Sequence, residues 1–271
     1  MPRVKVNDDI SINYEVSGEG DRVIVLTHGM GEALGTWDPD VPDLSRKYRV
    51  LRWDCRGHGE SDMPDVPYSA AMHARDLAGL LKALGIAKAH VGGESMGGAI
   101  AQRFLLDFPE MSASGFILCS SSQVSDKMFD AWEQRAKIAE EQGTQAVLDA
   151  EASFGNSSPS IKPYPPEREE LQRQWTLKIP GKIYAHTVRA MAAYNWTADL
   201  RTIRVPVLIL QGLQDAMTPP GGSVIMHRNI PNSQLVMMDE CSHSIMNDQP
   251  EQWRRHLLNF LDGVVAWTAY A

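Results

Sequence analysis

Six short apolar runs, separated by longer segments, constrain the fold of this chain more than any other feature. They lie at residues 23–26, 48–53, 89–91, 116–119, 207–210 and 235–238. Runs this short and this apolar are typical of parallel strands that are buried on both faces. Helical patterns lie beside several of them, at 69–84, 96–108 and 249–261. This alternation predicts an α/β protein with a mostly parallel sheet and helices on both of its faces.

Two further strands precede these runs in the predicted sheet, and one long insertion interrupts the pattern later in the chain. Residues 4–6 and 10–14 flank an Asn-Asp-Asp turn and predict an antiparallel hairpin, which brings the sheet to eight strands. Between 122 and 201 the alternation stops, and proline-broken helical segments take its place. We therefore predict a core domain of residues 1–121 and 202–271, with a helical cap inserted at 122–201.

Composition limits the partners that this chain is expected to have. Its 271 residues are 43% hydrophobic, which is enough for one large core. The net charge is −8 and the basic residues form no block, so a nucleic-acid partner is not expected. No segment has the apolar length of a signal peptide or of a membrane span. We expect a cytoplasmic protein without a membrane partner, and its state as monomer or homodimer is left open.

The three cysteines point to neither a disulfide framework nor a metal site. Cys55, Cys119 and Cys241 are odd in number and widely spaced. Metal sites and disulfide-rich domains show short, repeated spacings instead. No metal and no cofactor is therefore expected.

Residues 93–97, Gly-Glu-Ser-Met-Gly, have the composition of a nucleophile elbow. They follow a predicted strand and open a helix of small residues, which is the context that this motif requires. The flanking glycines remove side chains that would clash in so tight a turn. Ser95 is the candidate nucleophile.

A serine nucleophile needs a base and an acid that orients the base. Asp215 follows the strand predicted at 207–210, and His243 follows the one at 235–238. Because ligand sites in parallel sheets lie beyond the carboxyl ends of the strands, these side chains are expected near Ser95. Backbone N–H groups of Met30 and Met96 are the expected oxyanion donors. His28, which precedes Gly29 and Met30, is expected to have a structural role.

Five motifs together resemble the α/β-hydrolase superfamily. They are His28-Gly29, Asp54-Cys55-Arg56-Gly57-His58-Gly59-Glu60-Ser61, Gly93-Glu94-Ser95-Met96-Gly97-Gly98, Gly212-Leu213-Gln214-Asp215 and Cys241-Ser242-His243. The resemblance covers the chain outside the cap and implies the α/β-hydrolase fold with a Ser-Asp-His triad. The cap segment Gly181–Met191 and the stretch from Val205-Pro206-Val207 to Thr218-Pro219-Pro220 look most like the 3-oxoadipate enol-lactonase and carboxylesterase branch of the superfamily. Glu94 departs from that branch, which commonly has His, Asn or Leu at this position.

The expected activity is hydrolysis of a small, largely apolar ester or lactone through an acyl-enzyme. Two alternatives use the same fold: a C–C bond hydrolase of ring-fission products, and a ligand receptor that turns over slowly or not at all. The large apolar side chains of the cap are candidate substrate contacts, or they merely hold the cap together. They are Phe129, Trp132, Trp175, Met191 and Trp196.

Overall fold

An eight-stranded sheet forms the centre of the protein, here described from a computed structural model that covers residues 2–7, 10–153 and 160–268. In chain order the strands are β1 (Arg3–Lys5), β2 (Ser11–Ser17), β3 (Val23–Thr27), β4 (Arg49–Trp53), β5 (Ala89–Glu94), β6 (Ser112–Leu118), β7 (Val207–Gly212) and β8 (Ser233–Met238). Across the sheet they lie in the order β1-β2-β4-β3-β5-β6-β7-β8. The β1–β2 and β2–β4 pairs are antiparallel and the other pairs are parallel. The predicted sheet is thus confirmed.

Helices connect the strands and cover both faces of the sheet. They are α1 (Val41–Leu44), α2 (Ala70–Ala83), α3 (Met96–Asp107), α4 (Asp126–Gln142), α5 (Thr144–Ser153), α6 (Pro166–Lys178), α7 (Gly181–Ala192), α8 (Pro220–Asn229), α9 (Ile245–Asp248) and α10 (Pro250–Thr268). Within the described ranges, none of these helices combines the length and apolarity that crossing a membrane would need.

Two apolar clusters hold the helices on the sheet because successive strand residues point to opposite faces. In β3, Val25 packs into one cluster with α2 and α3, whereas its neighbours Ile24 and Leu26 pack into a second cluster with α10. Burial of this kind stabilises the fold by about 25 cal/mol for each Å² of apolar surface. At the C-terminal end, Val264 packs into the second cluster, and residues 269–271 lie outside the described part of the chain.

β5 is longer than its sequence suggested. The apolar run ends at Val91, but the strand continues through Glu94, with Gly92 paired to Leu26 and Gly93 paired to Thr27 on β3. Glycine usually weakens a strand, but here it allows a close approach. A Cβ on Gly92 would lie 2.2 Å from the Phe116 ring.

The helical cap consists of α4–α7, inserted between β6 and β7. Its own core includes Ala136 and Ala139 of α4 and Tyr184 and Val188 of α7. The cap contacts the core through Thr176, whose hydroxyl donates a hydrogen bond of 3.0 Å to the carbonyl of Gly31. The predicted domain limits at 122 and 201 stay a prediction, and part of the predicted proline-rich loop, residues 155–159, lies outside the described residues.

Candidate active site

Ser95 occupies a strained turn between β5 and α3. Its backbone has φ 55° and ψ −113°, a left-handed φ that non-glycine residues rarely adopt. The turn requires its glycines, because a Cβ on Gly97 would lie 2.1 Å from the carbonyl oxygen of Thr27 and one on Gly93 would lie 2.3 Å from it. The Ser95 N–H donates to Leu118, which anchors the turn to β6.

Asp215 and His243 form a buried hydrogen-bonded pair beyond the ends of β7 and β8. Their Oδ2 and Nδ1 atoms are 2.9 Å apart. Because an ionised carboxylate can only accept, Nδ1 carries the proton and Nε2 is left as the basic nitrogen. The structure thus brings Asp215 and His243 together, and their catalytic roles stay a prediction.

Several donors keep the Asp215 carboxylate ionised. Burial alone would raise its pKa, but hydrogen bonds from His243 and Thr218 and the charge of His243 lower the pKa to about 2. The Thr218 hydroxyl donates to Oδ2 at 2.7 Å, and the Gln211 side chain donates to the same oxygen at 3.1 Å. Neither partner was predicted from the sequence. Gln211 could have been, because a polar residue at the end of an otherwise apolar strand indicates a buried hydrogen-bond acceptor nearby.

The pKa of His243 is raised above its ordinary value. Burial lowers this pKa, but the hydrogen bond to Asp215 and the negative charges of Asp215 and Glu32 raise it by more. The imidazole is therefore a stronger base than free histidine.

Asp248 holds the loop that carries His243. Its carboxylate accepts from the Ser242 N–H at 2.8 Å and, across the chain, from the N–H groups of Ile161 and Lys162 at 2.9 Å each. These bonds tie the loop after β8 to the segment before α6. No local pattern predicts this role, because Ile161 and Lys162 are more than eighty residues from Asp248 along the chain.

The candidate oxyanion donors lie beside Ser95. Met30 and Met96 line the same cavity as the serine. Met96 is the first residue of α3, so its N–H has no acceptor within the helix. His28 has the predicted structural role: its Nε2 accepts from the Cys55 N–H at 3.0 Å, so Nδ1 donates to the Gly29 carbonyl at 2.7 Å.

The cavity over Ser95 has a volume of about 270 Å³, and none of its described lining residues is charged. Methionine is the commonest large side chain in its wall. Soft, unbranched methionines adapt to ligands of different shape. The apolar lining consists of Met30, Met96, Val124, Met128, Trp132, Met191, Tyr194, Met217, Pro219 and Ile225.

Of the five predicted substrate contacts, the structure brings Trp132 and Met191 to this cavity. The other three lie elsewhere, which corrects that expectation. Phe129 is 42% exposed, because the neighbouring Met128 takes the inward position on α4. Trp175 packs under Arg168 beside a separate cleft.

Trp196 lies behind the cavity wall. It stacks on Tyr194 with ring centroids 4.1 Å apart, and its Nε1 donates to Gln102 at 3.1 Å. Tyr194, which sequence reasoning missed, is the ring that reaches the cavity.

Cys119, Asp215 and His243 place possible metal-ligand atoms within 4.8 Å of one another. Metal binding needs a thiolate, but burial raises the pKa of the Cys119 thiol well above its ordinary value. The ring nitrogen of His243 that faces Asp215 is also taken by their hydrogen bond. These three residues do not fit a metal site.

Comparison with known proteins identifies the family. A family model described as the alpha/beta hydrolase fold matches residues 22–250. The chain belongs to the α/β-hydrolase family. This α/β-hydrolase is 28% identical over 253 residues to a putative carbamate hydrolase of Azorhizobium caulinodans. The aligned residues cover 93% of this chain and 95% of that protein.

Enol-lactonases and esterases are also among the relatives of this α/β-hydrolase, as the sequence predicted. It is 28% identical to 3-oxoadipate enol-lactonase 2 of Acinetobacter baylyi, over 90% of both chains. A solved structure of a thermophilic esterase from Thermogutta terrifontis superimposes with a TM-score of 0.84 at 28% identity, over 97% of this chain and 99% of that one.

Proposed function

We propose that this α/β-hydrolase is a serine hydrolase that cleaves uncharged carboxylic esters or lactones through an acyl-enzyme. The observation that carries the proposal is the uncharged, methionine-rich cavity above Ser95. The esterases and enol-lactonases among its relatives support the reaction class.

The proposed reaction uses Ser95, His243 and Asp215. The Ser95 hydroxyl attacks the carbonyl carbon while Nε2 of His243 takes its proton. The carbonyl oxygen becomes an oxyanion, which the N–H groups of Met30 and Met96 stabilise. Collapse breaks the ester bond, and His243 gives its proton to the leaving alcohol. A water molecule, deprotonated by His243, then attacks the acyl carbon; the bond between this carbon and the Ser95 oxygen breaks, and His243 returns the proton to that oxygen, which releases the acid and restores the serine.

The charge of the acyl group is expected to decide the substrate. Placing a carboxylate in an uncharged cavity without a partner carries a large desolvation penalty. We expect p-nitrophenyl 4-methylpentanoate to exceed its shape-matched anionic analogue, mono-p-nitrophenyl succinate, by about 100-fold or more in kcat/KM. Steady-state kinetics on both esters measures the ratio. Equal or better turnover of the succinate would contradict the proposed substrate class.

This charge preference separates the proposal from its alternatives. A lactone of 3-oxoadipate keeps a free carboxylate, and so do ring-fission products, so an enzyme for either is expected to favour the anionic analogue. A ligand receptor is expected to release about one alcohol per molecule from both esters and then stop.

The pH dependence of ester hydrolysis is expected to report His243. Since the base must be neutral, kcat/KM rises with pH through a pKa above 6.5, the ordinary imidazole value. In Asp215→Asn the carboxylate that raises this pKa is gone, so the rise moves to lower pH. A pH–rate profile of both proteins tests this. A midpoint that is the same in both would show that the Asp215 charge does not act on the base.

A further inference from the structure

Glu94 is a buried acid directly before the candidate nucleophile. It is 3% exposed, and its carboxyl makes no side-chain hydrogen bond with any described part of the chain. Buried polar groups without such partners are rare and need a physical reason.

A second carboxyl, that of Glu32, lies beside Gly29, as the carboxyl of Glu94 does. A Cβ on Gly29 would lie 2.9 Å from Oε2 of Glu94 and 3.2 Å from Oε2 of Glu32. The two acids therefore lie on one face of the loop that carries Met30. Two carboxylates this close in a buried site cannot both ionise easily.

The contacts of the two acids decide which of them holds the charge. Glu32 is partly exposed and accepts hydrogen bonds of 3.0 Å from the Gly29 N–H and from the Thr36 hydroxyl. Hydrogen bonds from donors favour the charged form of a carboxyl group. Among the residues that the structure describes Glu94 has no such donor, so it is the group that takes a proton.

The charged surroundings agree with this assignment. Burial and the charge of Glu32 raise the pKa of Glu94 to about 8, Asp215 raises it too, and His243 and Arg168 act in the opposite direction. Burial raises the pKa of the two remaining titratable neighbours, Cys119 and Tyr164, so both stay neutral.

We propose that Glu94 and Glu32 hold one proton between them, and that loss of this proton places a second carboxylate beside the catalytic centre and slows hydrolysis. The new charge opposes the oxyanion that forms on the substrate carbonyl. Glu94 acts in this way as a positioning residue, through the field at His243 and the oxyanion. The effect on rate rests on the proposed esterase function, but the shared proton does not.

The rate effect is tested by alkaline pH profiles for an uncharged ester. Above the pH at which His243 has become neutral, wild-type kcat/KM is expected to fall by about tenfold up to about pH 9.5, whereas Glu94→Gln stays at its own plateau. In Glu32→Gln the charge that raises the pKa of Glu94 is lost, so the fall begins roughly 1 pH unit lower. Glu167→Gln, an exposed acid on α6, is the control and should follow the wild type. Superimposable wild-type and Glu94→Gln profiles overturn the rate effect.

The shared proton is tested without catalysis. In protein labelled with ¹³C at the glutamate carboxyls, Ser95→Ala is expected to show one carboxyl that titrates near pH 8 and is missing from Ser95→Ala/Glu94→Gln. If every glutamate titrates in the ordinary acidic range, the pair does not exist. If the wild type hydrolyses no ester but the carboxyl titrates near pH 8, the proposed function fails and the pair stands.

Discussion

Replacing Ser95 by alanine is expected to lower kcat for ester hydrolysis by about 10⁴-fold or more. The hydroxyl is the atom that the proposed reaction cannot replace, because the acyl-enzyme forms on it. Alanine keeps the Cβ, so the strained turn at φ 55° loses no packing atom other than the oxygen. Steady-state kinetics on p-nitrophenyl 4-methylpentanoate measures the loss.

Ser121→Ala is the matched control for this variant. Ser121 lines the same cavity, and its hydroxyl donates to the carbonyl of Gln123, so its loss changes the wall but not the proposed chemistry. Its kcat is expected to stay within a few-fold of the wild type. If Ser95→Ala and Ser121→Ala retained similar activity, Ser95 would not be the nucleophile.

Removing the Asp76 carboxylate is expected to destabilise the fold by about 3–5 kcal/mol. Asp76 accepts two hydrogen bonds from the Arg56 guanidinium, at 2.6 and 2.7 Å, and the two side chains are 0% and 3% exposed. The pair joins the loop after β4 to α2. In Asp76→Ala the guanidinium stays buried and loses both of these charge-assisted hydrogen bonds, and removing one member of a buried ion pair is strongly destabilising.

Urea unfolding followed by far-UV circular dichroism measures this loss. Glu60→Ala removes one member of an exposed pair with Lys178 and serves as the control, because exposed ion pairs contribute little to stability. Equal midpoints for Asp76→Ala and Glu60→Ala would show that the buried pair does not stabilise the protein.

The sheet was predictable because its strands are buried on both faces and read as short apolar runs. Apolar residues such as Val25 and Ile209 mark their strands in the sequence, even when the side chains that they contact in the fold are unknown. The end of β5 was not predictable in this way. Gly92 and Gly93 look like a turn, and it is the nearby Phe116 ring and Thr27 carbonyl that explain why glycine continues the strand.

The positions of the candidate catalytic residues were predictable where they depend on local sequence. Ser95, Asp215 and His243 each follow a strand, so the carboxyl edge of the sheet collects them. The cavity wall was not predictable, because helical phase decides it: Met128 faces the cavity and Phe129 faces solvent.

The residues that support the site were missed for another reason. Asp248 contacts Ile161 and Lys162, and Glu32 lies close to Glu94, and no local pattern connects these segments of the chain. Their partners meet them only once the chain has folded. A polar residue at a buried position, such as Gln211, was the one signal that sequence reasoning could have used.

Reaction of the protein with an alkyl fluorophosphonate, followed by peptide mass spectrometry of the adduct, tests most directly whether Ser95 is the nucleophile. We expect the Ser95 oxygen to displace fluoride, with its proton passing to His243, so that one phosphonyl group is found on Ser95 and esterase activity falls in proportion to labelling. Full loss of activity with the label on another residue, or full activity with Ser95 completely labelled, would show that Ser95 is not the nucleophile.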